Sequence, residues 1–330
     1  MFSSVLIAPA SLRADVFSET AIARFRESSR LREPFIDPSQ LNAHADQLAE
    51  AEIILSTWGM PRLDERFFRL APRTQAIFYA AGSVKGFVTE EMWKRQITLC
   101  SAWRSNAIPV SEFSLAAILF SLKQVWSYQR RMQSPSRDRE RIPTTGAYHS
   151  TVGLVSLGAI GWRVVELLRP FEVSIMAYDP FADPDRAAAA GIRLASLEEV
   201  FAEADVVSLH TPWLKETENL IHAGLLRRMK PHTTLINTAR GAVINEADLV
   251  AVMRERPDLT ALLDVTHPEP PVADSPLYDL PNIILTPHIA GSVSAECRRM
   301  GDSMVDEYLR FTRNEPLQHQ VTPEILPRMA

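Results

Sequence analysis

The chain has little of what would commit it to several functional classes. Among 330 residues there are two cysteines, Cys100 and Cys297, far apart and in no metal-like spacing. That leaves no disulfide framework or cysteine metal site to expect, and a reducing cytoplasm is the natural setting. Positive charge is not in surplus: 35 Lys and Arg stand against 40 Asp and Glu, a formal net charge of −5. Neither nucleic acid nor an anionic membrane is therefore an expected partner. No uninterrupted apolar run approaches a membrane span. The opening residues Met1-Phe-Ser-Ser-Val-Leu-Ile-Ala lack a basic region, and their apolar run is strand-length rather than signal-length. There is no repeat at solenoid period and no low-complexity tract. What is present, 46% hydrophobic and 23% charged residues, is the composition of a soluble globular protein long enough for a large core and two domains.

The most informative stretch is Val152-Gly-Leu-Val-Ser-Leu-Gly-Ala-Ile-Gly161. Val152 to Val155 reads as a buried strand, Ser156-Leu157-Gly158 as a tight turn, and a helix is expected to open at about Gly161. A strand, a small-residue turn and a helix N-terminus offer free N–H groups and a positive dipole end to an anion. Val173-Ser-Ile-Met-Ala-Tyr-Asp179 then reads as a second strand ending in a carboxylate. A dinucleotide requires this spacing: pyrophosphate on the helix N-terminus and an acidic group about 20 residues on for the ribose hydroxyls. Gly158 would admit the pyrophosphate and Gly161 would let helix and strand pack closely. The plain alternative is a strand-to-helix turn with no ligand, and Asp179 argues against it.

Elsewhere strands and helices alternate, as in parallel sheets covered on both faces. In the first hundred residues Val5 to Ile7, Ile53 to Ser56, Ala76 to Ala80 and Ile97 to Cys100 read as strands, with amphipathic segments at 62–71 and 88–95. One long helix is expected from Asn106 to about Met132, followed by a charged surface loop or arm at 133–147 whose arginines read as a solvated face. Ser196-Leu-Glu-Glu199 is a capping box. Asp205 to His210, Thr234 to Asn237, Leu259 to Val265 and Ile283 to Leu285 read as further strands, and Asn245 as a helix cap. An amphipathic helix is expected over 293–313, with Met300, Met304, Val305, Tyr308 and Leu309 on one face and a polar tail behind it.

In an open α/β sheet, ligands collect at the carboxyl ends of strands. His210, Thr238, Arg240, Asp264, Glu269 and His288 all lie at or just past such ends. Oxidation of a secondary alcohol next to a carboxylate needs a base for the hydroxyl proton and a cation for the carboxylate. Imidazole suits the first task, with a carboxylate partner to fix its tautomer, and the planar fork of arginine suits the second. Singly, Arg240 could bridge strand ends, Glu269 could be a surface carboxylate and His288 a satisfied core histidine. Together, beside a dinucleotide turn, the functional reading wins. His149, His222, His232 and His319 have no such pattern and read as surface.

The chain resembles the D-isomer-specific 2-hydroxyacid dehydrogenase family over nearly its full length. The resemblance rests on the turn above with Asp179-Pro180, on Leu209-His-Thr-Pro212 and on Leu235-Ile-Asn-Thr-Ala-Arg-Gly241. It continues through Leu263-Asp-Val-Thr-His-Pro-Glu-Pro270 and Thr286-Pro-His-Ile-Ala-Gly291. It implies an α/β fold of two domains: a Rossmann NAD-binding domain at 105–293 and a smaller, discontinuous, flavodoxin-like substrate domain at 1–104 and 294–330. It implies an NAD-dependent oxidoreductase for D-2-hydroxy and 2-keto acids. In that reading His288 is the acid/base paired to Glu269, and Arg240 binds the substrate carboxylate. Cofactor contacts are implied at Gly158, Ala159, Ile160, Gly161, Asp179, His210, Thr211, Thr238, Ala239, Arg240, Asp264, His288 and Gly291, with Asp264 on the nicotinamide carboxamide and Asp179 favouring NAD over NADP. Substrate contacts are implied at Trp58, Gly82 and Ser83, besides Arg240 and His288. A cytoplasmic homodimer is implied, with an arm such as 124–147 at its interface, and no C-terminal regulatory module is expected.

Ser156 departs from the family pattern, standing where the first glycine of the fingerprint would be, and it costs backbone freedom if the turn wants positive φ. Trp58 and Trp103-Arg104 would make one wall near the 80–85 loop aromatic, or simply pack in the core. Glu269 argues against a formate dehydrogenase. Phosphoglycerate dehydrogenase and glyoxylate or hydroxypyruvate reductase both stay open, and an NAD(H)-sensing binding protein of the same fold is the alternative from another class.

Overall fold

The computed structural model describes residues 1–133 and 141–329. Residues 134–140, which hold most of the expected arm's arginine cluster, and Ala330 lie outside the described residues. The chain divides into two compact units, Met1–Asn106 with Ser292–Met329, and Ala107–Gly291. Its strands are β1 (Phe2–Ile7), β2 (Ser29–Leu31), β3 (Ile53–Ser56), β4 (Ala76–Tyr79), β5 (Thr98–Ser101), β6 (Tyr148–Val155), β7 (Glu172–Tyr178), β8 (Ile192–Leu194), β9 (Val206–Leu209), β10 (Thr234–Asn237), β11 (Thr260–Leu263), β12 (Ile283–Leu285) and β13 (Gln320–Val321).

In the first unit the sheet order is β13-β5-β4-β3-β1-β2. Strands β1 to β5 are parallel in the 2-1-3-4-5 order of flavodoxin-like sheets. The short β13 pairs antiparallel with β5. Both faces are apolar and covered, so β3 and β4 are buried at every position, as continuous apolar runs require. The helix Arg298–Thr312 covers one face with Met300, Met304, Val305 and Tyr308, all buried. Leu309, expected on the same stripe, is only partly buried.

In the second unit seven parallel strands run in the order β12-β11-β10-β9-β6-β7-β8. This is the doubly wound Rossmann order with one strand added at an edge. From β6 the chain steps outward to β7 and β8, then returns to β9 on the other side of β6. That reversal opens a crevice at the carboxyl ends of β6 and β9, where side chains can gather.

Several local expectations differ from what forms. The single helix expected from Asn106 is two, Trp103–Leu122 and Val125–Gln133, broken at Gln124, which takes a left-handed φ of 56°. No glycine or proline announces that break. Trp103–Leu122 is long and apolar enough to cross a membrane by length and composition, but 56% of its apolar 18-residue window is buried inside the protein. The tail after residue 313 is not merely polar trailing chain, because it supplies β13. Glu307, 1% exposed, accepts hydrogen bonds from the amides of Gln318 and His319 at 2.9 Å each and turns the chain back towards β5. His319 is consequently partly buried rather than on the surface, and burial pushes its imidazole down from the usual range. His232 is also partly buried, whereas His149 and His222 are exposed.

Gly301 sets how closely the covering helix can approach. A Cβ there would lie 2.0 Å from the carbonyl oxygen of Val16. Gly301→Ala must push the helix outward, and the expected cost is about 1–3 kcal/mol, the range for overpacking. Urea unfolding measures it, and an unchanged midpoint would contradict this packing.

Candidate active site

Strand β6 ends in the turn Ser156-Leu157-Gly158, and the helix Ala159–Leu168 starts with Gly158 as its N-cap, two residues earlier than expected. Ser156 has φ of 80°, so the turn does adopt the conformation that glycine prefers. It is held by Ser156 N–H to the Tyr178 carbonyl at 2.8 Å and by Ser156 Oγ donating to Thr211 Oγ1 at 3.3 Å. A Cβ on Gly161 would lie 2.3 Å from the Ser156 oxygen, so only glycine lets this helix start so near the strand. Around Gly158 the opposite holds, since nothing lies within 4 Å of where a Cβ would be. The first N–H groups of the helix have no acceptor within it. Asp179 follows β7 and accepts from Leu157 N–H at 2.7 Å and Phe181 N–H at 2.8 Å. A carboxylate has about four lone-pair sites, so it can still take ribose hydroxyls. An open turn, an unsatisfied helix start and a carboxylate tied to that turn fit a dinucleotide.

His210 follows β9 and is 7% exposed, with neither ring nitrogen partnered among the described residues. Burial pushes its imidazole down to about 4, so the ring is neutral at pH 7. Its neighbour Thr211, also buried, donates to the Val155 carbonyl at 3.2 Å and so ties β9 to the end of β6.

Strand β10 ends at Asn237, whose buried side chain shapes the next three residues. Its Oδ1 accepts from Ala239 N–H and its Nδ2 donates to the Arg240 carbonyl, both at 3.0 Å. Thr238 is buried against Ser114, with the two hydroxyl oxygens 3.2 Å apart. Arg240 donates from Nη1 to the Ala239 carbonyl at 2.6 Å. Burial pulls its guanidinium down from its ordinary value, and the Glu269 charge acts the other way. An arginine so placed stays charged, because a guanidinium ordinarily holds its proton far above neutral pH. Gly241 is pressed against the next loop: a Cβ there would lie 1.9 Å from the carbonyl carbon of Thr266. That approach puts the loop of Glu269 beside the loop of Arg240. Glu269 Oε1 in turn is 2.5 Å from Nδ1 of His288, both side chains being about half exposed. His288, past β12, is itself left-handed with φ of 54°. Asp264, past β11, is 1% exposed and accepts from the amides of Ile289 and Ala290 at 2.8 Å each. Arg240, Glu269 and His288 thus come together, from three loops that a parallel sheet delivers to one edge. Gly291 is the last residue of this unit before the chain crosses to the other.

Two contributors were not singled out from sequence. Asn237 ends a fully buried strand with a polar side chain, a combination that requires a hydrogen-bonding task. Thr286 donates to Asp264 Oδ1 at 2.6 Å, and nothing in its spacing signals this.

In the first unit, Trp58 lies just past β3, partly buried and packed on apolar clusters from both faces of the sheet. Gly82 and Ser83 lie past β4, partly buried. The Ser101 hydroxyl donates to the Ala81 carbonyl at 2.9 Å and the Gly82 carbonyl at 2.5 Å, so the loop's carbonyls are held by the end of β5. The Arg104 guanidinium lies 4.5 Å from the centre of the Trp103 ring, and Trp103 also packs against the core.

Two consequences can be measured. Ser156→Gly relieves a left-handed non-glycine residue and should raise stability by roughly 0.5–1 kcal/mol while NADH affinity holds; a fall in melting temperature would contradict this. For His210 the unfolded-state value of 6.5 exceeds the folded value of about 4. The unfolded chain therefore binds more protons between those values, and stability is lost as pH falls from 6.5 towards 4. The loss attributable to His210 reaches about 3 kcal/mol. Comparing urea unfolding at pH 7 and pH 5 for wild type and His210→Asn isolates it, and equal pH dependence in both would refute the buried neutral imidazole.

Residues 115–290 match the family described as D-isomer specific 2-hydroxyacid dehydrogenase, NAD binding domain. The D-3-phosphoglycerate dehydrogenase of Archaeoglobus fulgidus is 28% identical over 267 residues, covering 81% of this chain and 51% of that protein. That of Bacillus subtilis is 28% identical over 305 residues, covering 90% and 57%. The chain thus spans about half the length of the curated relatives it matches. Among solved structures, the TT0316 protein of Thermus thermophilus superposes with a TM-score of 0.74 at 27% identity, covering 97% of this chain and all of that one. A D-isomer specific 2-hydroxyacid dehydrogenase from Lactobacillus delbrueckii, in its NAD-complexed form, has the same fold with a TM-score of 0.77 at 19% identity and similar coverage. The matched segment is more than half of the 330 residues, and the chain belongs to the D-isomer-specific 2-hydroxyacid dehydrogenase family, with NAD as its cofactor.

Proposed function

We propose that the protein interconverts a D-2-hydroxy acid and its 2-keto acid, with His288 as acid/base, Glu269 as its partner and Arg240 as the carboxylate anchor. The observation that carries this reading is the 2.5 Å contact between His288 Nδ1 and Glu269 Oε1, with the Glu269 charge also acting on Arg240. With Nδ1 on the carboxylate, Nε2 is the nitrogen left for substrate. In oxidation Nε2 takes the hydroxyl proton while Glu269 stabilises the imidazolium; in reduction the same nitrogen returns the proton to the carbonyl oxygen. Arg240 binds the carboxylate and polarises the adjacent carbonyl, and its partial burial strengthens both effects. NAD, when bound, supplies the two-electron acceptor for the carbon-bound hydrogen. The amides of Gly158, Ala159 and Ile160 would hold its pyrophosphate beside Gly161, and Asp179 its adenosine ribose. His210, Thr211, Thr238, Ala239, Asp264 and Gly291 would line its nicotinamide half.

Trp58 and the loop of Gly82 and Ser83 are the substrate contacts of the first unit, which we read as the substrate domain, and 107–291 as the NAD-binding domain. We read the assembly as a cytoplasmic homodimer. Support comes from the second unit, where Phe120, Met132 and Tyr148 are exposed and the Phe120 ring lies tilted against Trp126, 5.6 Å between centroids; large exposed apolar side chains are what an interface would cover.

His288→Ala tests the mechanism. Turnover of a 2-keto acid should fall at least ~100-fold, the scale of general acid–base catalysis, with NADH affinity within about twofold of wild type, the range left when only a proton-transfer contact is lost. An active His288→Ala protein would refute the assignment.

A further inference from the structure

His288 does its proposed work from an unfavourable backbone. A non-glycine residue at φ of 54° stays there only where its surroundings over-determine it. The surroundings here are a cage built on Asp264. Strands β11 and β12 pair in register at Leu263 and Leu285, so Asp264 and Thr286 emerge side by side. The Asp264 carbonyl accepts from His288 N–H at 2.9 Å. Its carboxylate accepts from Ile289 N–H at 2.8 Å and from the Thr286 hydroxyl at 2.6 Å on Oδ1, and from Ala290 N–H at 2.8 Å on Oδ2. One buried carboxylate therefore holds the residues on both sides of His288, and it is 1% exposed. Three of its roughly four acceptor positions are taken before any ligand arrives. Two of the three donors are backbone amides that cannot be changed by mutation. Thr286 is the side chain that orients the cage.

We propose that Thr286 is a positioning residue: through Asp264 its hydroxyl fixes the left-handed turn that keeps His288 Nδ1 on Glu269. Without that hydroxyl, Oδ1 keeps only the Ile289 amide, the carboxylate can rotate, and the turn relaxes towards ordinary φ. The imidazole then leaves Glu269. This rests on the reading of His288 as acid/base for its kinetic consequence, but not for its structural one.

The experiment compares Thr286→Val, which keeps the shape and deletes the hydroxyl, with Thr286→Ser, which restores it. Thr286→Val should lower kcat at least ~10-fold, the scale of one hydrogen bond to a charged group. NADH affinity by fluorescence titration should fall by a smaller factor than kcat does, because Asp264 would also line the nicotinamide half while the lost contact acts chiefly on catalysis, and Thr286→Ser should recover kcat. A proton NMR measurement accompanies the kinetics, following the downfield imidazole N–H of His288 that is shared with Glu269. That signal should persist in wild type and Thr286→Ser and vanish in Thr286→Val. If Thr286→Val does not fold, Thr286→Ala takes its place in the same comparison. The proposal is overturned if kcat survives the loss of the hydroxyl, if Thr286→Ser is as impaired as Thr286→Val, or if the N–H signal persists in the valine variant. Should the wild type turn over no 2-keto acid, the acid/base reading fails, while the N–H signal still decides for or against the cage.

Discussion

At Gly241 two loop backbones come within reach of each other with no room for a side chain between them. One loop leaves β10 carrying Arg240, and the other leaves β11 carrying Glu269. A Cβ at position 241 would sit 1.9 Å from the Thr266 carbonyl carbon, so any other residue would force the loops apart. The third loop, from β12, is drawn in by the His288–Glu269 contact and by the Asp264 carboxylate. The turn after β6 repeats the device: Gly161 meets the Ser156 carbonyl as Gly241 meets Thr266. A parallel sheet delivers its loops to one edge, and two glycines decide how tightly they gather there.

Burial then assigns the chemistry along that edge. His210 is buried, and burial holds it neutral at pH 7. His288 stays half exposed against a carboxylate. Two imidazoles past the ends of strands in one sheet thus stand in different surroundings, one buried and the other against a carboxylate. Arg240, partly buried beside Glu269, offers a fixed positive charge where a substrate carboxylate can use it.

Much of this was legible in the residues. Strands such as Ile53 to Ser56, Thr234 to Asn237 and Ile283 to Leu285 are short apolar runs, and such runs have one comfortable place in an α/β protein. The capping box at Ser196 and Glu199 forms as its spacing requires. What stayed hidden was decided by contacts distant in sequence. β2 and β13 are three and two residues long, too short for any periodicity. The break at Gln124 has no helix-breaking residue; the Gln124 side chain instead donates to the His232 carbonyl at 2.9 Å. His319 looked like a surface residue because nothing local shows that Glu307 will fold the tail back onto β5. Ser156 was legible as a liability, and its φ of 80° is the conformation that made it one. The bond between Thr286 and Asp264 was not legible, since the two lie 22 positions apart.

The most direct test is NADH oxidation by the 330-residue chain against a panel of 2-keto acids. The panel spans glyoxylate, hydroxypyruvate, pyruvate, phosphohydroxypyruvate, phenylpyruvate and a sugar-derived keto acid, with the configuration of the product determined by chiral chromatography. Saturable turnover of at least one member is expected, with KM in the micromolar to millimolar range and, for every member except glyoxylate, whose product glycolate is achiral, a product of D configuration. NADH that binds without reducing any of them, or a product of L configuration, would contradict it.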